Sequence, residues 1–135
     1  MILRFFRLGL VAAVACADPV EPRDLGEPIA APAVWREYYQ DVWNRCGSTL
    51  RSQPAYPYGE LEFRVVPGES ISWDGKLALG AWEGNRIYLA EAVLDVPLVV
   101  RHEMLHAQAG QPGHPAIFAT CDSLAVGPPS YSGSQ

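Results

Sequence analysis

Asp95-Val96-Pro97-Leu98-Val99-Val100-Arg101-His102-Glu103-Met104-Leu105-His106-Ala107-Gln108-Ala109-Gly110 is the stretch that decides how the rest of the chain is read. Asp95 is placed to cap a helix, Pro97 is tolerated in its first turn, and Gly110 is suited to end it. Leu98, Val99, Met104 and Leu105 supply apolar positions for packing. On such a helix His102 and His106 differ by about 40° in direction and stand one turn apart on the same side. Two imidazoles so placed can share one tetrahedral zinc. Glu103 lies about 100° round from His102, beside a metal rather than on it. There a carboxylate can take a proton from an attacking water.

A catalytic zinc needs a third protein ligand. The chain has 3 histidines, and the remaining one, His114, follows a Gln111-Pro112-Gly113 turn that can bring the chain back towards the helix. His114 is therefore the candidate, since zinc prefers imidazole or carboxylate once thiols are oxidised. Asp122 and Glu91 are alternatives, and Glu91 could equally orient a ligand from behind or be a surface charge. The bland reading of the helix pattern is a pair of solvated histidines, or core histidines satisfied by backbone. The apolar flanks, the start and stop signals and the nearness of His114 weigh against it.

Working outward, residues 34–46 place apolar side chains at 34, 35, 38, 39, 42, 43 and 46, a helical stripe that Pro32 suits at its start and Gly47 at its end. Trp35, Tyr38, Tyr39 and Trp43 are read as core rather than as an aromatic binding face. Residues 61–66 alternate as a half-buried strand does. Asp74-Gly75 between Ile71, Trp73 and Leu77, Leu79 is a two-residue hairpin signal. Glu83-Gly84-Asn85 marks a second turn before residues 86–90. After the helix, His114-Pro115 opens a last short helix through Phe118 to Cys121. The prediction is an α+β domain: an N-terminal helix, a small antiparallel sheet of three or four strands, the histidine helix and a short C-terminal helix.

The two ends read differently. Arg4 and Arg7 precede an apolar run from Leu8 to Ala15, the charged-then-apolar order of an export signal, too short to span a bilayer. It ends in Ala13-Val14-Ala15-Cys16, which resembles the lipobox of bacterial lipoproteins with Ala13 where leucine is usual. Cys16 would then carry the lipid. Ordinary cleavage after Ala17 is the rival reading. Residues 18–33 carry Pro19, Pro22, Pro28 and Pro32 among four acidic residues and read as a stiff acidic tether. The predicted organisation is a signal at 1–17, the tether at 18–33, the folded domain at 34–126 and a flexible tail at 127–135.

Export also bears on the cysteines. With Cys16 lipidated or removed, Cys46 and Cys121 remain, and in an oxidising compartment they can pair rather than stay as buried thiols. The net charge is −5 and becomes about −7 without the signal, which holds two of the ten basic residues and no acid. With no basic run or face, nucleic acid is not an expected partner. The domain is expected to be a monomer, touching a membrane only through the lipid anchor.

His102-Glu103-Met104-Leu105-His106 resembles the His-Glu-x-x-His hallmark of the zincin metallopeptidases, and Gly113-His114-Pro115-x-x-Phe118 is similar to the glycine-histidine-x-x-x-phenylalanine neighbourhood of SprT-like zincins. His114 stands eight positions after His106, not the six of metzincins, and no glutamate follows Glu103 to serve as the gluzincin ligand. The resemblance implies a minimal zincin-like domain with His102, His106 and His114 as ligands, Glu103 as general base and Phe118 packed beneath. It also implies an edge strand holding a peptide or protein substrate in extended form, for which residues 85–90 are the candidate. Arg101, Tyr88 and Tyr131 are possible oxyanion donors. Two functions follow: an exported zinc-dependent peptidase in the cell envelope or secreted, or a non-catalytic zinc-binding lipoprotein using the scaffold for metal or a partner. Glu103 favours the first, because a purely structural site has no use for it.

Overall fold

The computed structural model describes residues 25–125, except the side chains of residue 120 and residues 122–125. The signal with Cys16, the first part of the tether, the tail with Tyr131 and the Asp122 side chain lie outside the described residues.

The architecture is α+β, with helices packed on a small sheet. The apolar stripe at 34–46 forms α1 (Val34–Val42), which buries Trp35, Tyr39 and Val42. Trp35 and Tyr39 of the aromatic stripe are core, with Tyr38 packed half-buried against them and Trp43 half-buried. Trp35 meets Phe63 edge-on with ring centroids 4.9 Å apart. Gly47 does not end this helix. The chain continues through a π turn (Trp43–Gly47) into α2 (Ser48–Leu50), and Gly47 itself is right-handed helical. A Cβ at Gly47 would lie 2.1 Å from Trp43 Cε3 and 2.9 Å from Gln108 Oε1. The glycine is thus where Trp43 and Gln108 close over the backbone. Alanine ordinarily favours a helix over glycine by about 1 kcal/mol, but the overlap here reverses the sign. Gly47→Ala is expected to destabilise the fold by about 1–3 kcal/mol, read as a fall in melting temperature of several degrees; an unchanged or raised one would contradict this packing.

The main sheet runs in the order β1-β2-β6-β5, from β1 (Glu27–Ile29), β2 (Glu62–Val66), β5 (Gly80–Glu83) and β6 (Arg86–Ala90). Three of these findings correct the sequence reading. The sheet is mixed, because β2 and β6 pair in parallel with Phe63 opposite Ile87 and Val65 opposite Leu89. Glu27–Ile29, assigned to the tether, pairs antiparallel with β2. Residues 86–90 are an interior strand, and the edge beside the histidine helix is β5. The Asp74-Gly75 hairpin forms as predicted, with positive φ at both residues. Its strands β3 (Ile71–Trp73) and β4 (Lys76–Ala78) make a separate two-stranded sheet.

One sheet face meets the helices. Phe63, Ile87 and Leu89 pack with Trp35, Tyr39, Val100, Met104 and Ala107. Tyr88, Ala90 and Ala81 cluster with Ile71 and Val93. Alternate β6 residues thus enter different clusters, and Ile87, Tyr88, Leu89 and Ala90 are all fully buried. Each large apolar side chain so buried contributes about 1.5–3 kcal/mol.

The histidine helix is α3 (Pro97–Ala109), with Pro97 in its first turn and Gly110 closing it in the left-handed conformation at φ 68°. Asp95 does not cap it: the residue at the cap is Val96, and no side chain bonds the first N–H groups. Gln108 Nε2 donates to the Tyr39 carbonyl at 2.8 Å, tying α3 to α1. Burial pushes the Tyr39 phenol up to about 12, so it stays protonated and donates to the Tyr56 carbonyl. A short 3-10 turn (Tyr58–Glu60) leads into β2 and another (Glu91–Val93) out of β6. The last helix, α4 (Ala116–Ala125), follows Pro115 directly. Val42, Cys46, Leu105, Ala109, Phe118 and Cys121 form a third cluster between α1, α3 and α4. Within it a Cys46–Cys121 disulfide spans 75 residues of sequence, Cα to Cα 5.8 Å. Among the described residues no helix is long and apolar enough to cross a membrane.

Candidate metal centre

His102 and His106 project from the same side of α3, as their four-residue spacing requires. The backbone after Gly110 doubles back through residues 111–113 and returns His114 to them. The three Nε2 atoms converge: 3.2 Å from His102 to His106, 3.2 Å from His106 to His114 and 3.0 Å from His114 to His102. These three side chains are the group, among the described residues, able to hold one metal ion.

What surrounds the rings holds them there. His106 is buried, and its Nδ1 lies 3.0 Å from the Gln111 carbonyl. A carbonyl only accepts, so Nδ1 carries the proton and the Nε2 lone pair points at the other two rings, the arrangement a metal-ligating imidazole needs. Gln111 belongs to the turn that delivers His114, so one contact orients the second histidine and anchors the third. Phe118 of α4 lies under the cluster, its ring centroid 4.8 Å from that of His106, 5.6 Å from His114 and 6.2 Å from His102. From the sheet side, Trp82 of β5 stacks on His106 at 6.2 Å with the rings 10° from parallel.

Glu103 is 6% exposed and sits against Gly80 of β5. A cleft of about 200 Å³ opens beside it, lined by Trp73, Gly80, Ala81, Trp82, His102, Glu103, His106, Pro112 and His114. The three histidines and the carboxylate therefore share one cavity, with apolar walls from the hairpin, the edge strand and the turn.

No known protein family, curated protein or solved structure matches this chain.

The remaining candidates fall elsewhere. Arg101 turns away from the cleft: its guanidinium is buried, 3.2 Å from Asp41 and 4.6 Å from the centre of the Tyr38 ring. Tyr88 is fully buried, packed on Trp73 at 5.2 Å, and does not line the cleft. Glu91 is exposed in its 3-10 turn and is not part of the histidine group. Sequence reasoning missed the cleft's other walls: Trp73 and Pro112, read as hairpin flank and turn, and Gly80, Ala81 and Trp82 of an unassigned strand. A glycine inside a strand pattern, as in Leu79-Gly80-Ala81-Trp82, signals a close approach by another group.

Proposed function

We propose that this chain is an exported zinc-dependent peptidase, with His102, His106 and His114 holding zinc and Glu103 acting as general base. The observation that carries the reading is the convergence of three imidazole nitrogens and one buried carboxylate on a single cleft beside a sheet edge. A tetrahedral zinc with bonds of about 2.0–2.1 Å would set its ligand nitrogens about 3.3 Å apart, and the observed separations of 3.0–3.2 Å suit it. The donor set, three imidazole nitrogens, also suits zinc.

When bound, zinc supplies Lewis-acid polarisation of the scissile carbonyl and makes the attacking water more acidic. Glu103 takes the proton from that water and returns it to the leaving amine. β5 presents its free edge to an extended peptide, and the Trp73, Trp82 and Pro112 walls favour an apolar side chain beside the scissile bond. The disulfide supports an oxidising compartment, in keeping with export and with a lipid anchor at Cys16. The competing reading, a non-catalytic zinc-binding lipoprotein, draws on the modest size of the cleft.

Metal analysis joined to proteolysis separates the two. The purified protein is expected to carry one zinc per chain and to cleave unstructured casein. Cleavage should stop with a chelator and return when zinc is restored. A fully zinc-loaded protein that cuts no member of a broad peptide library would leave the binding reading in place.

A further inference from the structure

Gly80 is the first residue of the edge strand β5 and pairs with Leu89 of β6. Positions 80 and 82 share a face of the strand, and both meet α3: Trp82 stacks on His106, and Gly80 lies against Glu103. A Cβ at position 80 would stand 2.8 Å from Glu103 Cγ, 2.9 Å from Oε1 and 3.1 Å from Cδ. The first two distances are shorter than packed atoms adopt, and the third is tighter than most contacts. The backbone of Gly80 does not have the positive φ that favours glycine, so its own torsions do not require one. The space that Glu103 occupies does.

We propose that Gly80 is a positioning residue: its missing side chain is the slot in which the Glu103 carboxylate is held beside the three histidines. Because Cγ is among the atoms met, turning the carboxylate about its last bond does not relieve the contact. The whole side chain has to swing from an earlier torsion, and burial leaves it few rotamers. The slot also fixes which strand can lie here, since any side chain at position 80 would push the carboxylate off its place. The inference rests on the peptidase reading for the consequence in rate, though not for the geometry.

The test compares Gly80→Ala with Gly59→Ala, which meets nothing within 4 Å and serves as the control. Gly80→Ala is expected to keep one zinc per chain and an unchanged KM while kcat falls about 10–100-fold, the order of loss for a misplacement near 1 Å. Crystal structures of the two zinc-loaded proteins should show the Glu103 carboxylate displaced only in Gly80→Ala. Alanine for glycine in extended backbone ordinarily stabilises, so melting curves add a second arm. Gly80→Ala should lower the melting temperature when Glu103 is present and not in a Glu103→Ala background. An unmoved carboxylate, or an equal loss of stability in both backgrounds, would overturn the proposal. A wild type that binds zinc and cleaves nothing removes the peptidase reading alone, because the structures and the melting cycle still decide the role of Gly80.

Discussion

Glu103→Gln is expected to retain zinc at wild-type stoichiometry and affinity while kcat falls by about 10²–10⁴-fold, the range for losing one general acid–base group. Glutamine fills nearly the same volume, so the slot against Gly80 stays filled and the helix keeps its packing. On the proposed mechanism, what disappears is the ability to take a proton from water and give it to the leaving amine. None of the three converging nitrogens belongs to Glu103, which is why metal binding and turnover should separate. KM should change little, because the carboxylate is proposed to act on the water rather than on the peptide; kcat and kcat/KM then fall together, as when an interaction made only in the transition state is removed. Steady-state kinetics on a peptide cleaved by wild type, with zinc counted in the same preparations, measures both. A Glu103→Gln protein that cleaves at the wild-type rate would remove the general-base assignment; one that loses its zinc would show that the carboxylate supports the ligands instead.

The parts of this site that were legible in the sequence are local. His102 and His106 face one way because a helix repeats every 3.6 residues, and Pro97 and Gly110 mark its ends by their own backbone chemistry. The return of His114 was legible because Gln111-Pro112-Gly113 is a turn whatever surrounds it. Sheet pairing was not, because it depends on residues far apart in the chain. The parallel pairing of β2 with β6 joins positions 24 residues apart in number, Glu62 with Arg86 and Val66 with Ala90. The unbroken run Ile87-Tyr88-Leu89-Ala90 was the available clue, since a strand buried on both faces loses its polar alternation. Glu27–Ile29 escaped because proline density argued against a strand, yet Pro28 lies on an edge strand, where a missing N–H is tolerated. Asp95 offered a capping side chain, but α3 begins after Val96, one residue beyond its reach. Local pattern does not explain Gly47 or Gly80, because each answers to a neighbour brought by α3: Gln108, with Trp43 of its own turn, at Gly47, and Glu103 at Gly80.

Removing the disulfide, by reduction with a dithiol or as Cys46→Ser/Cys121→Ser, is expected to weaken the fold and the metal site together. Opening a loop of 75 residues costs about 4 kcal/mol in the chain-entropy model. For a domain of this size, whose whole stability is on the order of 5–15 kcal/mol, that corresponds to a fall in melting temperature of roughly 15–30 °C. The second effect follows from where the bridge is attached. Cys46 sits in the π turn after α1, and Cys121 sits on α4, three residues beyond Phe118. Phe118 packs against all three imidazoles, and His114 lies two residues before α4 begins. His102 and His106 are fixed by α3 itself, whereas His114, the exposed member, depends on the turn and on α4 staying docked. Without the bridge, zinc affinity should fall by about 10–100-fold, as it does when groups that support metal ligands are lost. Zinc binding is itself folding free energy, so the zinc-dependent rise in melting temperature should be smaller for the unbridged protein than for the bridged one. Calorimetric titration with zinc and melting curves at fixed zinc concentration check both effects. A lower melting temperature with unchanged zinc affinity would show that the bridge stabilises the fold without holding His114, and an unchanged melting temperature would contradict the bridge's role altogether.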